Sequence, residues 1–266
     1  MSARWLKLTV AYDGGGYAGW QFQPDKPTVQ GAFEAAWRQI TQETLRVTAA
    51  GRTDAGVHAL GQVVGLATQT RLANADLVRA LNAVLPGDVA VRQVDDAREG
   101  FHATRDAIGK RYRYQIHNAR TPSVFDRHYA WHYPQPLDAA AMHTAGQHLV
   151  GRHDFSSFET AGSERPDSIR TIHELSVTRG AGALSDRVTL EVAGDGFLYN
   201  MVRTIVGTLV EVGDGSRPTE WPAAVLAARD RRQAGQTAPP HGLFLVSVTY
   251  GRGRESSTRA EDGSGA

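Results

Sequence analysis

Hydrophobic and polar residues alternate along several short segments of the chain, and this period-two pattern predicts β-strands. It is clear in LKLTVAY, which begins at Leu6. Further strands are predicted at LGQVVGLAT, DVAVRQV, KRYRYQIHN, TIHELSVTRG, DRVTLEVAGDG and LFLVSVTY, and at RVTAAGRTD, where a strand runs into a loop. A glycine-containing turn joins TIHELSVTRG and DRVTLEVAGDG, so these two segments are predicted to form a hairpin.

Apolar residues at intervals of three and four predict amphipathic helices. Val29, Phe33, Trp37 and Ile40 form such a stripe, and Thr28 before them is a suitable N-cap. Further helices are predicted over NADLVRALNAVLP with Asn74 as its cap, Leu137–Leu149, LYNMVRTIVGTLVEVG and WPAAVLAARDRR.

The elements divide into two halves of similar content. We predict an N-terminal α/β half at residues 1–105 and a C-terminal α/β half at 106–250, with a seam near Phe101–Lys110. A cleft between two such halves is a common place for a functional site. Residues 251–266 contain no large apolar side chain and are predicted to be disordered.

The composition excludes several kinds of chemistry. The 266 residues include no cysteine, which excludes disulfides, zinc–thiolate sites and thiol nucleophiles. The histidines show no known metal-ligand spacing, so no metal is expected. The glycine-rich DGGGYAGW matches no phosphate-binding fingerprint and is interpreted as a flexible turn. Without a signal-peptide core or an apolar run of bilayer length, a soluble cytoplasmic protein is expected.

The segment GRTDAGVH places an aspartate among small residues. If Arg52–Asp54 is extended, the side chains of Arg52 and Asp54 share one face and Thr53 points away. The small residues that follow would leave room for a bulky substrate beside the carboxylate. The alternative is a tight turn in which Asp54 accepts backbone hydrogen bonds. Spacing alone leaves both interpretations open.

Basic and aromatic residues alternate in KRYRYQI. On a strand, Lys110, Tyr112 and Tyr114 share one face, while Arg111 and Arg113 share the other. Between residues 101 and 127 six Lys or Arg residues are opposed by two Asp residues, in a protein of net charge +1. This pattern suits phosphates and stacked bases, although an ordinary half-exposed strand would look the same.

Arg203 interrupts the otherwise apolar helix at NMVRTIVGTLV. A buried guanidinium requires an anionic partner, unless it reaches solvent near the helix start. Asp54 is a suitable partner, and we expect the pair to lower the pKa of Asp54 and fix its orientation.

Taken in order, the motifs of the chain resemble the TruA family of tRNA pseudouridine synthases. The motifs are YDGGGYAGWQ, TVQGAFEAA, AGRTDAGVHALGQV, LPGDVAV, FHATRDAIGKRYRY, DFSSF, NMVRTIVGTLVEVG and GLFLVSVTY. The resemblance implies the pseudouridine synthase fold, an α+β fold of two α/β halves with a mostly antiparallel sheet, helices packed on it and a central active-site cleft. It also implies an isomerase that forms pseudouridine at positions 38, 39 and 40 of the tRNA anticodon stem-loop.

The same resemblance implies a homodimer in which one tRNA touches both subunits, with no cofactor and no membrane partner. Asp54 matches the catalytic aspartate, Tyr112 the active-site tyrosine, and Arg203 the arginine that pairs with the aspartate. Arg52 matches an arginine linked to base flipping, and Leu243 an apolar residue of the base pocket.

The resemblance also implies several tRNA contacts. They are Phe101, His102, Ala103, Thr104 and Arg105, together with Arg71 and the loop Gly162–Pro166. The residue types leave three roles for Asp54: nucleophile at C1′, stabiliser of positive charge there, or base for the C2′ proton. Two other functions also remain open, a tRNA-binding module without catalysis and a glycosidase, which would need a second acid.

Overall fold

The computed structural model describes residues 3–160 and 167–251. The strands in this part of the chain are β1 (Arg4–Tyr12), β2 (Thr48–Ala49), β3 (His58–Thr68), β4 (Val89–Asp96), β5 (Ala107–His117), β6 (Trp131–His132), β7 (Gly151–Asp154), β8 (Ile169–Arg179), β9 (Arg187–Gly194) and β10 (Leu243–Tyr250). The α-helices are α1 (Val29–Thr41), α2 (Asn74–Val84), α3 (Ala139–Gln147), α4 (Met201–Gly213) and α5 (Trp221–Ala228). The predicted Gly162–Pro166 contacts and nearly all of the predicted tail lie outside the described residues.

These strands form one sheet in the order β4-β1-β3-β10-β5-β9-β8-β7, with β2 on β3 and β6 on β5. Pairing is antiparallel except between β10 and β3 and between β5 and β6. The predicted α+β fold with a mostly antiparallel sheet is confirmed. The hairpin of β8 and β9 is confirmed as well.

The last strand of the described residues, β10, occupies the centre of the sheet. β10 pairs with β5 along its length and with β3 through Phe244 and Leu245. It thereby joins the N-terminal strands to the C-terminal ones. One sheet and one hydrophobic core run across the proposed seam at Phe101–Lys110. The division into two halves at that seam therefore stays a prediction.

The main core lies between one face of the sheet and the helices. On β1, Leu6, Leu8 and Val10 are fully buried and alternate with partly exposed residues. Phe33 and Trp37 of α1 join the same core, with their rings stacked 6.3 Å apart. The Thr28 cap is confirmed, because its side chain accepts a hydrogen bond from the backbone of Gly31.

Helix α4 is the most deeply buried helix of the described chain. All of its residues except Arg203 and Glu211 are buried. This burial follows from the apolar sequence, and it confirms the predicted helix and its end at Gly213. The helix packs against α3 and carries Arg203 in its first turn.

Two local predictions are wrong. Asn74 does not cap α2, since the capping position is Ala73 and makes no side-chain bond. Asn74 instead accepts a hydrogen bond from Arg4 at 2.6 Å and donates one to Asp96 at 3.2 Å. Helix α3 begins later than predicted, because Asp138 caps its start. The Asp138 carboxylate accepts hydrogen bonds from the backbone N–H groups of Ala140 and Ala141, each at 2.9 Å.

Gly207 tests the packing of α4. Alanine usually stabilises a helix interior by about 1 kcal/mol over glycine. At Gly207, however, a Cβ would overlap the backbone carbonyl of Gln236. Gly207→Ala is therefore expected to destabilise the protein by about 1–3 kcal/mol in urea unfolding. The control Gly87→Ala, whose Cβ would enter open space, should change stability little. A stabilised Gly207 variant would contradict this packing.

Candidate active site

A cavity of about 810 Å³ lies beside the centre of the sheet. Its walls come from the loop between β2 and β3, the start of β5, the segment that enters α4, and the start of β10. Seven of the predicted site residues line it: Arg52, Asp54, His102, Thr104, Tyr112, Arg203 and Leu243. Residues far apart in sequence are thus brought together where the loop before β3 faces α4.

The loop that carries Asp54 is fixed from behind. The Thr53 hydroxyl is 2.8 Å from the phenol oxygen of buried Tyr12. The backbone N–H of Trp20 donates to the Thr53 carbonyl at 3.0 Å. Gln62 donates to the carbonyl of Gly51 at 2.8 Å. Thr53 therefore points into the protein, and Asp54 faces the cavity, as the alternation predicts.

The glycines of DGGGYAGW pack against this loop. Gly19 has φ +97°, and a Cβ there would lie 2.7 Å from the Thr53 carbonyl oxygen. A Cβ on Gly14 would overlap the Val57 carbonyl. The predicted turn is present at residues 15–18, and its glycines also allow close backbone approach to the loop that holds Asp54.

Both interpretations of GRTDAGVH are partly right. A turn does form, with the Val57 N–H donating to the backbone carbonyl of Asp54 at 3.1 Å and Gly56 at φ +78°. The Asp54 carboxylate itself accepts no hydrogen bond from the backbone of the described residues. Its ionic partner is Arg203, whose Nη1 lies 3.8 Å from Asp54 Oδ2. The carboxylate is thus presented to the cavity.

Arg203 is held in place by two neutral oxygen acceptors. Its Nε donates to the Ala238 carbonyl at 2.7 Å, and Nη1 donates to Asn200 Oδ1 at 2.8 Å. Asn200 precedes α4 in the left-handed conformation, with φ 60°. The predicted Arg203–Asp54 pair is confirmed as an ionic contact. Asn200 was missed, although an asparagine three residues before a buried arginine was a usable signal.

The pairing with Arg203 lowers the pKa of Asp54, as expected, but the net shift goes in the opposite direction. Burial raises this pKa above its ordinary value, and the attraction of Arg203 lowers it by less. The reason is geometric, because a charge 3.8 Å away without a hydrogen bond compensates only part of the lost hydration. The site therefore holds a carboxylate that is costly to ionise.

Tyr112 and Leu243 form the apolar part of the cavity. Tyr112 is 8% exposed and packs edge-on against Phe197, with ring centroids 5.1 Å apart. Leu243 is 6% exposed and begins β10 beside β5. An aromatic and an aliphatic side chain here suit the faces of a planar base.

The arginines of KRYRYQI do not face the cavity. Arg111 pairs with Glu174 at 2.7 Å, and Arg113 pairs with Glu191 at 2.7 Å. From this strand, Lys110 and Tyr112 line the cavity. Phosphate binding by the strand stays a prediction.

The predicted contact segment 101–105 contains both buried and exposed residues. Phe101 and Ala103 are 8% and 0% exposed, so their side chains offer RNA almost no surface. The ring of Phe101 packs 5.3 Å from that of Tyr250, whose hydroxyl donates to the Ala103 carbonyl at 2.7 Å. Contact between this segment and tRNA stays a prediction. Arg105 and Arg71 are exposed but do not line the cavity.

Within residues 3–160 and 167–251, no cluster of three or more His, Asp or Glu side chains has the arrangement that could hold a metal ion. In the same ranges, no helix combines the length and apolar character needed to cross a bilayer.

The family model described as "tRNA pseudouridine synthase" matches residues 8–104 and 145–251. The chain belongs to the tRNA pseudouridine synthase family. This family member is 48% identical to tRNA pseudouridine synthase A of Moorella thermoacetica, across 92% of this chain and 99% of that protein. It is 45% identical to the Bacillus subtilis protein of the same name, across 92% and 98% of the two chains.

A third relative with that name, from Myxococcus xanthus, is 45% identical across 95% of this chain and 94% of its own. Among solved structures, a chain of an H/ACA ribonucleoprotein bound to a substrate RNA is similar with a TM-score of 0.33 and 12% identity. That match covers 77% of this family member and 53% of the other chain, and no conclusion rests on it.

The raised pKa of Asp54 predicts a pH-dependent stability. The Asp54 carboxyl binds its proton more tightly in the folded protein than in the unfolded chain. Ionisation of Asp54 therefore lowers the free energy of unfolding at pH values above the raised pKa. Asp54→Asn is expected to raise the Tm at pH 7 to 8. The gain should fade as the pH falls through the raised pKa toward 3.8, because the wild-type carboxyl then becomes protonated too.

Asp13→Asn is the matched control for these melting curves. The pKa of Asp13 is lowered despite desolvation, because it accepts hydrogen bonds from Gly15, Tyr129 and His58. This substitution should lower the Tm at neutral pH and lose its effect as Asp13 becomes protonated. A lower Tm for Asp54→Asn at pH 8 would contradict the raised pKa.

Asn200→Gly tests the placement of Arg203. Glycine keeps the left-handed backbone but removes the acceptor for the guanidinium. We expect Arg203 to lie farther from Asp54 on average, so the pKa of Asp54 should rise further. The measurement is a ¹³C NMR titration of the Asp54 carboxyl. Gln42→Gly, at another left-handed residue with φ 62°, is the control. An unchanged titration in the Asn200 variant would show that Asn200 does not position Arg203.

Proposed function

We propose that this protein is a tRNA pseudouridine synthase that isomerises uridine to pseudouridine at positions 38, 39 and 40 of the tRNA anticodon stem-loop. Relatives of that name match nearly the whole chain. The observation that best supports this chemistry is the position of Asp54. Among the described residues that line the cavity, it is the single carboxylate.

The reaction needs one well-placed carboxylate and no electron acceptor. The N1–C1′ bond breaks, the uracil turns, C5 joins C1′, and the proton on C5 leaves. Asp54 acts as nucleophile at C1′, as stabiliser of positive charge there, or as base for the C2′ proton, and each role requires its ionised form. Arg203 favours that form, while burial removes the water that would weaken its interaction with the sugar.

The other lining residues would handle the uracil. The uridine must leave its stack to reach Asp54. We assign Arg52, which is exposed at the cavity edge, to the gap left by the flipped base. Tyr112 and Leu243 would contact the uracil, and the Tyr112 hydroxyl is a candidate for removing the C5 proton. His102 and Thr104 line the cavity, and Arg105 follows them on the surface, so these residues and Arg71 are proposed to contact the tRNA.

We further propose that the protein acts in the cytoplasm as a homodimer, with one tRNA touching both subunits. The support is the ordered set of family motifs from Leu6 to Tyr250. Sedimentation of the protein with and without tRNA would measure this stoichiometry. A monomer at micromolar concentration would contradict the dimer.

The glycosidase alternative is disfavoured by the cavity itself. Glycosidases use two carboxyl groups on either side of the scissile bond. Among the described lining residues, Asp54 has no such second acid. A tRNA-binding module without catalysis remains the competing function.

Tritium release separates these functions. An unmodified tRNA transcript tritiated at uracil C5 loses tritium to water when pseudouridine forms. The wild-type protein should release it, and Asp54→Asn should not, because the amide can neither attack C1′ nor take a proton. Binding of tRNA should stay within about tenfold of wild type, since phosphate contacts dominate affinity.

Asp76→Asn, on the surface of α2, is the matched control and should retain full release. Release by the Asp54 variant would reject Asp54 as the catalyst. No release by wild-type protein that binds the transcript would favour the non-catalytic module.

A further inference from the structure

Lys110 is a cavity residue to which the proposed chemistry gives no role. It lies on β5 two residues before Tyr112, and both line the cavity. The intervening Arg111 points to the other face of the sheet, where Glu174 and Glu191 bind it. The strand therefore places Lys110 on the cavity side and Arg111 on the opposite face.

Gly51 makes room for this cation. A Cβ on Gly51 would lie 2.8 Å from Lys110 Nζ and 3.5 Å from its Cε, so the lysine stem lies along the glycine backbone. Gly51 is not among the glycines with positive φ, so its backbone conformation does not demand glycine. Close approach by the lysine is the remaining reason for a glycine here.

The charges around Lys110 favour an anionic ligand. The described lining residues include four cations, Arg46, Arg52, Lys110 and Arg203, against the single carboxylate of Asp54. Arg203 faces that carboxylate, and Arg46 pairs with Glu34 at 2.9 Å. A flipped nucleotide enters with a phosphate on either side of its sugar, and a lysine ammonium binds phosphate as a point charge.

We propose that the Lys110 ammonium, seated over Gly51, binds a backbone phosphodiester of the nucleotide that enters the cavity. This inference rests on the proposed function for the presence of RNA in the cavity. It assigns Lys110 to substrate binding and not to bond making, because an ammonium group has no acceptor for a proton. Gly51 is a positioning residue that acts through Lys110.

The test measures tRNA binding in the Asp54→Asn background, where no turnover occurs, by filter binding between 50 and 200 mM KCl. Lys110→Gln should raise Kd about tenfold. It should also reduce the slope of log Kd against log salt by about 0.7–0.9, the value for one phosphate contact. Arg111→Gln removes the same charge one residue away and should leave Kd within about twofold.

Gly51→Ala tests the packing of the Lys110 side chain against Gly51 without changing the charge of the cavity. The added methyl would displace the end of a flexible side chain, so the protein should still fold, but Kd should rise at least threefold. In the Lys110→Gln background the same substitution should add nothing, because it acts through the lysine. Additive effects of the two substitutions would overturn the seating role of Gly51.

Unchanged Kd and salt slope in Lys110→Gln would overturn the proposal, as would an effect equal to that of Arg111→Gln. Absence of release from wild-type protein would overturn the proposed synthase function independently of these binding results.

Discussion

The site depends on an ionic contact that only partly offsets the desolvation of the partly buried Asp54 carboxylate. Its partner is a guanidinium 3.8 Å away. Arg203 is near enough to favour the anion but makes no hydrogen bond to it, so burial still raises the pKa of Asp54. A direct bidentate pair would stabilise the carboxylate more and would occupy both of its oxygens. The two neutral acceptors that hold Arg203 keep this separation, since they fix the guanidinium without consuming its charge.

That geometry requires a rigid loop on the opposite wall. The carboxylate lies on a turn, and the turn is fixed through Thr53 and through glycines that let the neighbouring backbone approach it closely. Polar bonds to Tyr12 and Gln62 satisfy groups that burial would otherwise leave without partners. The small residues therefore have two effects. They allow close backbone packing on the side of Asp54 that faces the protein, and they leave open space on the side that faces the cavity.

Periodicity predicted most of the elements, because the apolar stripes of α1 and α4 and the alternation along β1 reflect burial on a single face. It also predicted that an arginine inside an apolar helix needs an anion. The place of β10 in the sheet could not be predicted, since strand order depends on contacts across the whole chain. The sign of the Asp54 pKa shift was missed because it depends on a distance. The burial of Phe101 and Ala103 was missed because a family motif does not separate residues that support a surface from residues that form it.

The position of β10 has a consequence for when the protein can become active. Strand β10 supplies Leu243, and the residues just before it supply the carbonyl that holds Arg203. A growing chain on the ribosome thus carries Asp54 long before it carries the groups that complete the cavity. The cavity is complete only after β10 has been synthesised and has entered the sheet, so chains that stop before β10 lack part of the cavity wall.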